Sequence, residues 1–344
     1  APEVAGDVVV IGNGGAEFGV RGYVTAYDVK TGAQRWRFYT VPKDPKLGPQ
    51  ENPELEQAMA TWSMDSRWEL GLGGTVWDAI HYDPQFNALY IGVGNGGPYP
   101  SGKRAATKGD HLYLGSLVAL DPATGRVKWH YQQTPSDSWD FTSTQPMILS
   151  ELDIDGELVP VLMHSPKNGF LYVLDRRDGR LLRANPIVYQ NWTDGIDPAT
   201  GRPKIRASAE YMTTPSIVYP AVSGARNWHP ASFSPQTGLY YASVQENGNL
   251  LFTTPGDKPP RAKSLSADSV AIFVADLLDV LPTLPPPIQD AVKNSPEYER
   301  VKAGKTGSFL RAIDPLTGET RWSVPSSSWQ DRAGVLSTAG GLVF

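Results

Sequence analysis

The chain has no cysteine among its 344 residues. That excludes disulfides, thiolate metal sites and cysteine nucleophiles within it, and leaves the compartment open. It has no uninterrupted apolar run of the roughly 18 residues that a membrane-spanning helix needs. Charge of one sign is also scarce: 31 Lys and Arg against 36 Asp and Glu give a formal net charge of −5. So weak an imbalance offers no broad attraction to nucleic acid or to a membrane surface. There is no His/Cys/Glu cluster at zinc spacing, no phosphate loop, no Gly-x-Ser-x-Gly elbow and no Cys-x-x-Cys-His haem motif. The opening residues Ala1-Pro2-Glu3-Val4-Ala5-Gly6 lack the basic start and apolar stretch of a signal peptide. The closing run Gly341-Leu342-Val343-Phe344 stops on an apolar strand. Both ends read as cuts through structure, so the chain is expected to be an internal piece of a longer protein.

What is abundant points to strands and turns. The chain holds 34 Gly, 30 Pro, 10 Trp and 15 Tyr, with 40% hydrophobic and 19% charged residues. That is the composition of an ordered globular protein rich in β-structure, long enough for one large core or two domains.

Four segments share one pattern: Ala26-Tyr27-Asp28-Val29-Lys30-Thr31-Gly32 up to Trp36, Ala119-Leu120-Asp121-Pro122-Ala123-Thr124-Gly125 up to Trp129, Val173-Leu174-Asp175-Arg176-Arg177-Asp178-Gly179 up to Arg183, and Ala312-Ile313-Asp314-Pro315-Leu316-Thr317-Gly318 up to Trp322. Each reads as strand, turn, strand. The Asp side chain can bond the turn backbone, and Gly supplies positive φ. Weaker relatives start at Tyr82 and Phe233. Repeated hairpins with a periodic aromatic indicate an all-β fold, a β-propeller, in which Trp36, Trp129 and Trp322 pack between neighbouring sheets. The copies are unevenly spaced, so some blades lack the motif or carry insertions. The stretch from Pro255 to Thr306 breaks the rhythm. Within it Ala267, Val270, Ala271, Val274, Leu277, Leu278 and Leu281 recur at three- and four-residue steps, which predicts an amphipathic helix before Pro285-Pro286-Pro287.

Several polar residues sit beside strands. Glu17 lies in the glycine-rich run Gly12-Asn13-Gly14-Gly15-Ala16-Glu17-Phe18-Gly19-Val20-Arg21-Gly22, directly after the apolar strand Val8-Val9-Val10-Ile11. It is either a ligand for a hard cation or a solvated turn residue. Asn95, between glycines at a strand end, suits a Ca²⁺ site or a turn. Thr75 and Trp77 alternate in Gly74-Thr75-Val76-Trp77-Asp78, which would put a hydroxyl and an indole on one strand face. They read as the floor for a planar ligand or as another inter-blade Trp. Asp137 and Asp140 flank Trp139: Asp140 is a candidate general base, and an Asx turn at Asp137 is the plainer reading. Lys167 lies in Ser165-Pro166-Lys167-Asn168-Gly169, where a solvated turn lysine is the plain alternative. Asn227-Trp228-His229-Pro230 is a polar-aromatic cluster in which His229 reads as a core hydrogen-bonder.

Taken together and in order, these runs resemble the quinoprotein alcohol dehydrogenases that use pyrroloquinoline quinone (PQQ). The resemblance rests on the Glu17 run, Gly74-Thr75-Val76-Trp77-Asp78, Gly92-Val93-Gly94-Asn95-Gly96, Asp137-Ser138-Trp139-Asp140-Phe141, Pro166-Lys167-Asn168-Gly169 and Asn227-Trp228-His229-Pro230. It covers nearly the whole chain apart from the insertion.

The resemblance implies an eight-bladed propeller, of which residues 1–344 form part, with a rim insertion at about 255–306. It implies that Glu17, Asn95 and Asp140 bind Ca²⁺, and that Gly15, Ala16, Thr75, Trp77, Lys167, Asn227 and Trp228 contact PQQ. Asp140 is then the base that takes the alcohol proton, Ca²⁺ the Lewis acid and Lys167 the partner of the quinone oxygens. The implied reaction is oxidation of a primary or secondary alcohol to aldehyde or ketone, in the periplasm, with a cytochrome c-type acceptor. In the lanthanide-using branch of this family a further Asp stands two residues beyond the catalytic one, where this chain has Thr142; Ca²⁺ is therefore the implied metal.

The family's adjacent-cysteine disulfide is absent here. Haem c could belong only to a part beyond Phe344. A segment cut from a propeller is expected to be inactive alone, because it leaves strand edges unpaired. Two other readings stand beside this one: a non-catalytic propeller scaffold, and a PQQ dehydrogenase for a polymeric or aromatic alcohol. A scaffold has no need of a Glu, an Asn and an Asp in fixed order.

Overall fold

Each repeated turn is tied by its aspartate, as the spacing requires. In this computed structural model, which describes residues 1–107, 109–253 and 269–344, Asp28 Oδ1 accepts the Lys30 and Thr31 amides and the Thr31 hydroxyl at 2.9–3.0 Å. The Gly32 amide donates to the Asp28 carbonyl at 2.9 Å, with Gly32 at φ +71°. These donors, the Thr31 amide first, hold the Asp28 carboxyl down at about 2. Asp121 and Asp314 make the same turn bonds. Asp175 accepts the Arg177 amide and pairs with Arg177 and Arg180. A fifth copy, Asp197-Pro198-Ala199-Thr200-Gly201, closes on Asp197 in the same way without a tryptophan after it.

The turns join antiparallel strands into up-and-down sheets of four, the blades expected of a β-propeller. The described residues fall into two compact units. The first, residues 1–149 with 175–180, holds two such sheets. One is β1 (Glu3–Ala5), β2 (Val8–Gly12), β3 (Tyr23–Asp28) and β4 (Gln34–Tyr39); the other is β5 (Ile80–Asp83), β6 (Ala88–Gly92), β7 (Ser116–Leu120) and β8 (Val127–Gln132). Val8, Val10, Val24 and Phe38 of the first sheet share one core with Leu89, Ile91, Val118 and Leu120 of the second.

The periodic tryptophans act between repeats. Trp36 Nε1 donates to the Pro122 carbonyl at 2.9 Å, in the next turn. Its indole lies on Gly125, where a Cβ would come within 2.6 Å of the ring. Trp129 Nε1 repeats the bond to the Arg176 carbonyl at 3.2 Å. Trp322 differs from the expectation. It is 37% exposed and packs beside Tyr241 of its own sheet, with ring centroids 5.8 Å apart.

The second unit, residues 150–174, 181–253 and 269–344, contains a four-stranded sheet of β9 (Ile148–Ile154), β10 (Glu157–His164), β11 (Phe170–Asp175) and β12 (Leu181–Pro186). A small hairpin, β13 (Thr193–Ile196) and β14 (Pro203–Ile205), follows. The strand β15 (Ser216–Val218) precedes β16 (Ser232–Ser234) and β17 (Leu239–Glu246), which pair with β20 (Gly307–Ile313) and β21 (Thr320–Pro325) in a last sheet of four. Between β17 and β20 the chain leaves as β18 (Asn249–Thr253) and β19 (Ser269–Phe273), which join β15 in a three-stranded sheet. Here Asn185 takes the tryptophan's part: its Nδ2 donates to the Pro315 carbonyl at 3.0 Å.

The helix expected after Pro255 is shorter than its spacing suggests. Val270 and Ala271 lie on β19, paired with Phe252 and Leu251, and Ala267 is outside the described residues. The helix spans Val274–Val280. It buries Val274 and Leu277 beside Leu281, while Leu278 is exposed. Pro286 and Pro287 open the next helix, Pro286–Lys293, where proline's missing amide costs nothing.

Candidate cofactor and metal site

The strand β2 delivers the chain to Glu17 through a pinned loop. Asn13 holds both sides: its Oδ1 accepts the Tyr23 amide at 2.9 Å and its Nδ2 donates to the Arg21 carbonyl at 3.3 Å. Gly15 turns at φ +93°, and Ala16–Phe18 form one 3₁₀ turn closed by the Phe18 amide on the Gly15 carbonyl. Ala16 is buried and Glu17 partly exposed.

This loop is sewn to the run that contains Thr75. The Gly22 amide donates to the Gly73 carbonyl at 2.7 Å. Residues 74–77 are not a strand, contrary to the alternation reading; Gly73 alone bridges, to Arg21 and to Gly96. Thr75 and Trp77 also differ in environment. Thr75 is fully enclosed, and Trp77 is 37% exposed. The Thr75 hydroxyl is buried without a hydrogen-bond partner.

Asn95 enters the same neighbourhood from the loop after β6. Its carbonyl accepts the Gly74 amide at 2.9 Å, and the Thr75 carbonyl accepts the Gly94 amide at 3.0 Å. Asn95 is buried, and its Nδ2 donates to the Gly96 carbonyl at 3.2 Å. That leaves Oδ1 as the side chain's uncommitted oxygen.

The third member comes from the loop after β8. Asp137 Oδ1 accepts the amides of Trp139 and Phe141, both at 3.0 Å, so the Asx turn is present. Asp140, inside that turn, is buried and held at φ +63°. A non-glycine residue in that region is uncommon, though Asp is among those that tolerate it.

Two residues the sequence reading does not single out link these loops. Tyr99, four residues beyond Asn95, donates from its phenol to Glu17 Oε1 at 3.2 Å. Burial pushes the Tyr99 phenol far above its usual range, and the negative charges of Asp140 and then Glu17 push it further. Arg104, fully buried, donates through Nη1 to the carbonyls of Pro98 and Tyr99, both at 2.7 Å, and through Nη2 to the Asp137 carbonyl. One guanidinium thus ties the Asn95 loop to the Asp140 loop. A Tyr beside a glycine-flanked Asn is the only signal that could have pointed here.

If they held a metal, Glu17, Asn95 and Asp140 would offer two carboxylates and one amide oxygen, all hard oxygen ligands. No group of three or more His, Cys, Asp or Glu able to hold a metal occurs among the described residues. Oxygens of that kind would suit an oxygen-seeking divalent ion, and none of the three is the imidazole or thiolate that a zinc site favours. The orphaned, enclosed Thr75 hydroxyl fits a group that would supply its missing hydrogen bond.

In the second unit Lys167 is only 7% exposed, so it is not the solvated turn lysine of the plainer reading. Its carbonyl accepts the Ala225 amide at 2.9 Å, joining its loop to the Asn227 loop. Asn227 Oδ1 accepts the Trp228 amide at 2.9 Å, and its Nδ2 donates to the Ser223 carbonyl at 3.0 Å. Trp228 is 51% exposed and stacks on His229 with centroids 4.1 Å apart. His229 is thus a partly exposed stacking residue and not a core hydrogen-bonder. Burial, then Arg332 and Arg226, hold its imidazole below the usual range.

Residues 1–190 match the PQQ family model described as glucose/ethanol/alcohol dehydrogenase, beta-propeller domain. The whole chain is 45% identical over 345 residues to the quinohemoprotein alcohol dehydrogenase ADH IIB of Pseudomonas putida, covering 46% of that protein. Among solved structures it is similar to the quinohemoprotein alcohol dehydrogenase of Comamonas testosteroni, at 41% identity and TM-score 0.85, over all of this chain and 48% of that one. It is also similar to a europium-containing methanol dehydrogenase, at 30% identity and TM-score 0.80, over all of this chain and 56% of that one. The chain spans about half the length of the relatives it matches.

Proposed function

The chain belongs to the glucose/ethanol/alcohol dehydrogenase β-propeller family, and from that premise we propose that the whole protein oxidises a primary or secondary alcohol to the aldehyde or ketone with PQQ and Ca²⁺. When bound, PQQ is the two-electron acceptor and Ca²⁺ the Lewis acid. Glu17, Asn95 and Asp140 would hold the metal. Gly15 and Ala16 would meet PQQ through their backbone, Thr75 through its hydroxyl and Trp77 through its indole face. Lys167, Asn227 and Trp228 would complete its contacts. Asp140 takes the alcohol's hydroxyl proton; its left-handed backbone lies inside the Asp137 turn, so the loop that carries the carboxylate is shaped before substrate arrives.

The observation that carries this reading is the Tyr99–Glu17 hydrogen bond, which joins the Glu17 loop to the loop of Asn95, together with Arg104, which ties that loop to the loop of Asp140. The relatives named quinohemoprotein support a haem-type, one-electron acceptor, and a cytochrome c is the partner we propose, in the periplasm. No helix among the described residues is long and apolar enough to cross a membrane. The test is reconstitution of the full-length apo-protein with PQQ and Ca²⁺. Dye-linked oxidation of short alcohols that requires both supports the proposal. PQQ binding that is indifferent to Ca²⁺, with no alcohol-dependent dye reduction, refutes it.

A further inference from the structure

Glu17 and Asn95 reach the site from loops far apart in sequence, and a metal needs their oxygens fixed relative to one another. Among the described residues, the side-chain hydrogen bond that joins these two loops runs from the Tyr99 phenol to Glu17 Oε1, at 3.2 Å. Tyr99 is itself anchored: its carbonyl is held at 2.7 Å by the fully buried Arg104. Arg104 also holds the Pro98 carbonyl at 2.7 Å and the Asp137 carbonyl. The phenol therefore stands on a frame shared with the Asp140 loop. Its hydroxyl takes one lone pair of Glu17 Oε1 and so fixes the direction in which the carboxylate faces. A carboxylate fixed in this way loses less freedom on binding a cation than one that swings in solvent.

We infer that Tyr99 is a positioning residue for the metal, orienting the Glu17 carboxylate toward the cation. This rests on the proposal that Glu17 is a metal ligand. Outer partners of ligating groups typically contribute about 10–100-fold in metal affinity. In this role the residue acts through Glu17, so the measurement is metal binding and not turnover.

The experiment is calorimetric titration of full-length, PQQ-loaded, metal-free protein with Ca²⁺, comparing the parent with Tyr99→Phe and Glu17→Gln. Phe keeps the ring and removes only the donor. Tyr99→Phe is expected to weaken Ca²⁺ binding by about 10–100-fold, with the thermal unfolding midpoint of the metal-free protein unchanged. Glu17→Gln is expected to weaken it at least as much. Parent-like affinity in Tyr99→Phe with a loss in Glu17→Gln overturns the role of Tyr99 and leaves the site standing. A loss in Tyr99→Phe accompanied by a lowered unfolding midpoint of the metal-free protein makes the residue merely structural and also overturns it. Parent-like affinity in Glu17→Gln removes Glu17 from the metal site, and the inference falls with it.

Discussion

Gly96 lies against the face of the Arg104 guanidinium, where a Cβ would approach Nε and Cζ to 2.7 Å and Nη1 to 2.8 Å. That guanidinium holds three carbonyls from two loops, those of Pro98, Tyr99 and Asp137. The glycine beside Asn95 is therefore a packing requirement of the buried arginine as much as a feature of the turn.

Gly96→Ala should push Arg104 off its carbonyls. Overpacking of this kind costs roughly 1–3 kcal/mol. Urea unfolding of the metal-free protein should show that loss, and the same protein should bind Ca²⁺ more weakly because both loops shift. A variant with parent-like stability and affinity would mean that Arg104 relaxes freely and is not the frame described.

Asp140→Asn removes the proposed base while keeping shape and a ligand oxygen. Turnover should fall by a factor on the order of 10²–10⁴ with PQQ still bound. Steady-state kinetics with the cofactor monitored by absorbance separates these effects. Near-normal turnover would assign proton removal to another group.

Acid should destabilise the first unit through His111. Burial, then the positive charge of Arg104, hold its imidazole down at about 3. Its Nδ1 lies 3.4 Å from Arg104 Nη2, so it faces a donor and stays neutral. The unfolded chain takes up a proton below about pH 6.5, while the folded one does not until about 3. Stability from this group is thus complete above about pH 6.5 and is lost as pH falls toward 3, by about 1.4 kcal/mol per pH unit. His111→Asn suits the comparison because Asn tolerates the local φ of +55°. Its unfolding free energy should change less between pH 7 and 5 than that of the parent; equal slopes would discount His111.

Much of the fold was legible because its turns are written in side chains. Asp28, Asp121, Asp175 and Asp314 each bond the backbone two residues on, and that chemistry demands a particular residue at a particular place. The copy at Asp197 carries the same turn signal, with Ile205 standing where the other copies have Trp or Arg. The helix after β19 is harder, because Phe273 ends a strand and Val274 begins a helix with no break in apolar content. Spacing alone cannot mark that junction. The candidate site divides along the same line. Glu17, Asn95 and Asp140 are visible as polar residues among glycines and aromatics. Arg104 is not, since its bonds to Pro98, Tyr99 and Asp137 go to main-chain carbonyls, and a carbonyl has no residue signature. Tyr99 contributes through one hydroxyl aimed across 82 residues of sequence. Asn185, standing in for a tryptophan, is hidden for the same reason.

The metal should be Ca²⁺ and not a lanthanide. Glu17 and Asp140 bring two negative charges and Asn95 a neutral oxygen, which balances a divalent ion. Counted against the protein's own ligands, a trivalent ion would keep one charge uncompensated, which is costly. The position that could supply a third carboxylate, two residues beyond Asp140, is Thr142. It is buried, and its hydroxyl is engaged with that of Thr144 at 2.9 Å. Lys167 and His229 offer no side-chain oxygen in its place. The similarity to a europium-containing methanol dehydrogenase makes this a real choice. Reconstitution of the full-length metal-free protein with Ca²⁺, La³⁺ or Ce³⁺ decides it. Ca²⁺ alone should restore alcohol oxidation, and Thr142→Asp should shift the response toward the trivalent ions by adding the missing charge. Restoration of the parent by La³⁺ or Ce³⁺ but not by Ca²⁺ would overturn the charge argument for this site.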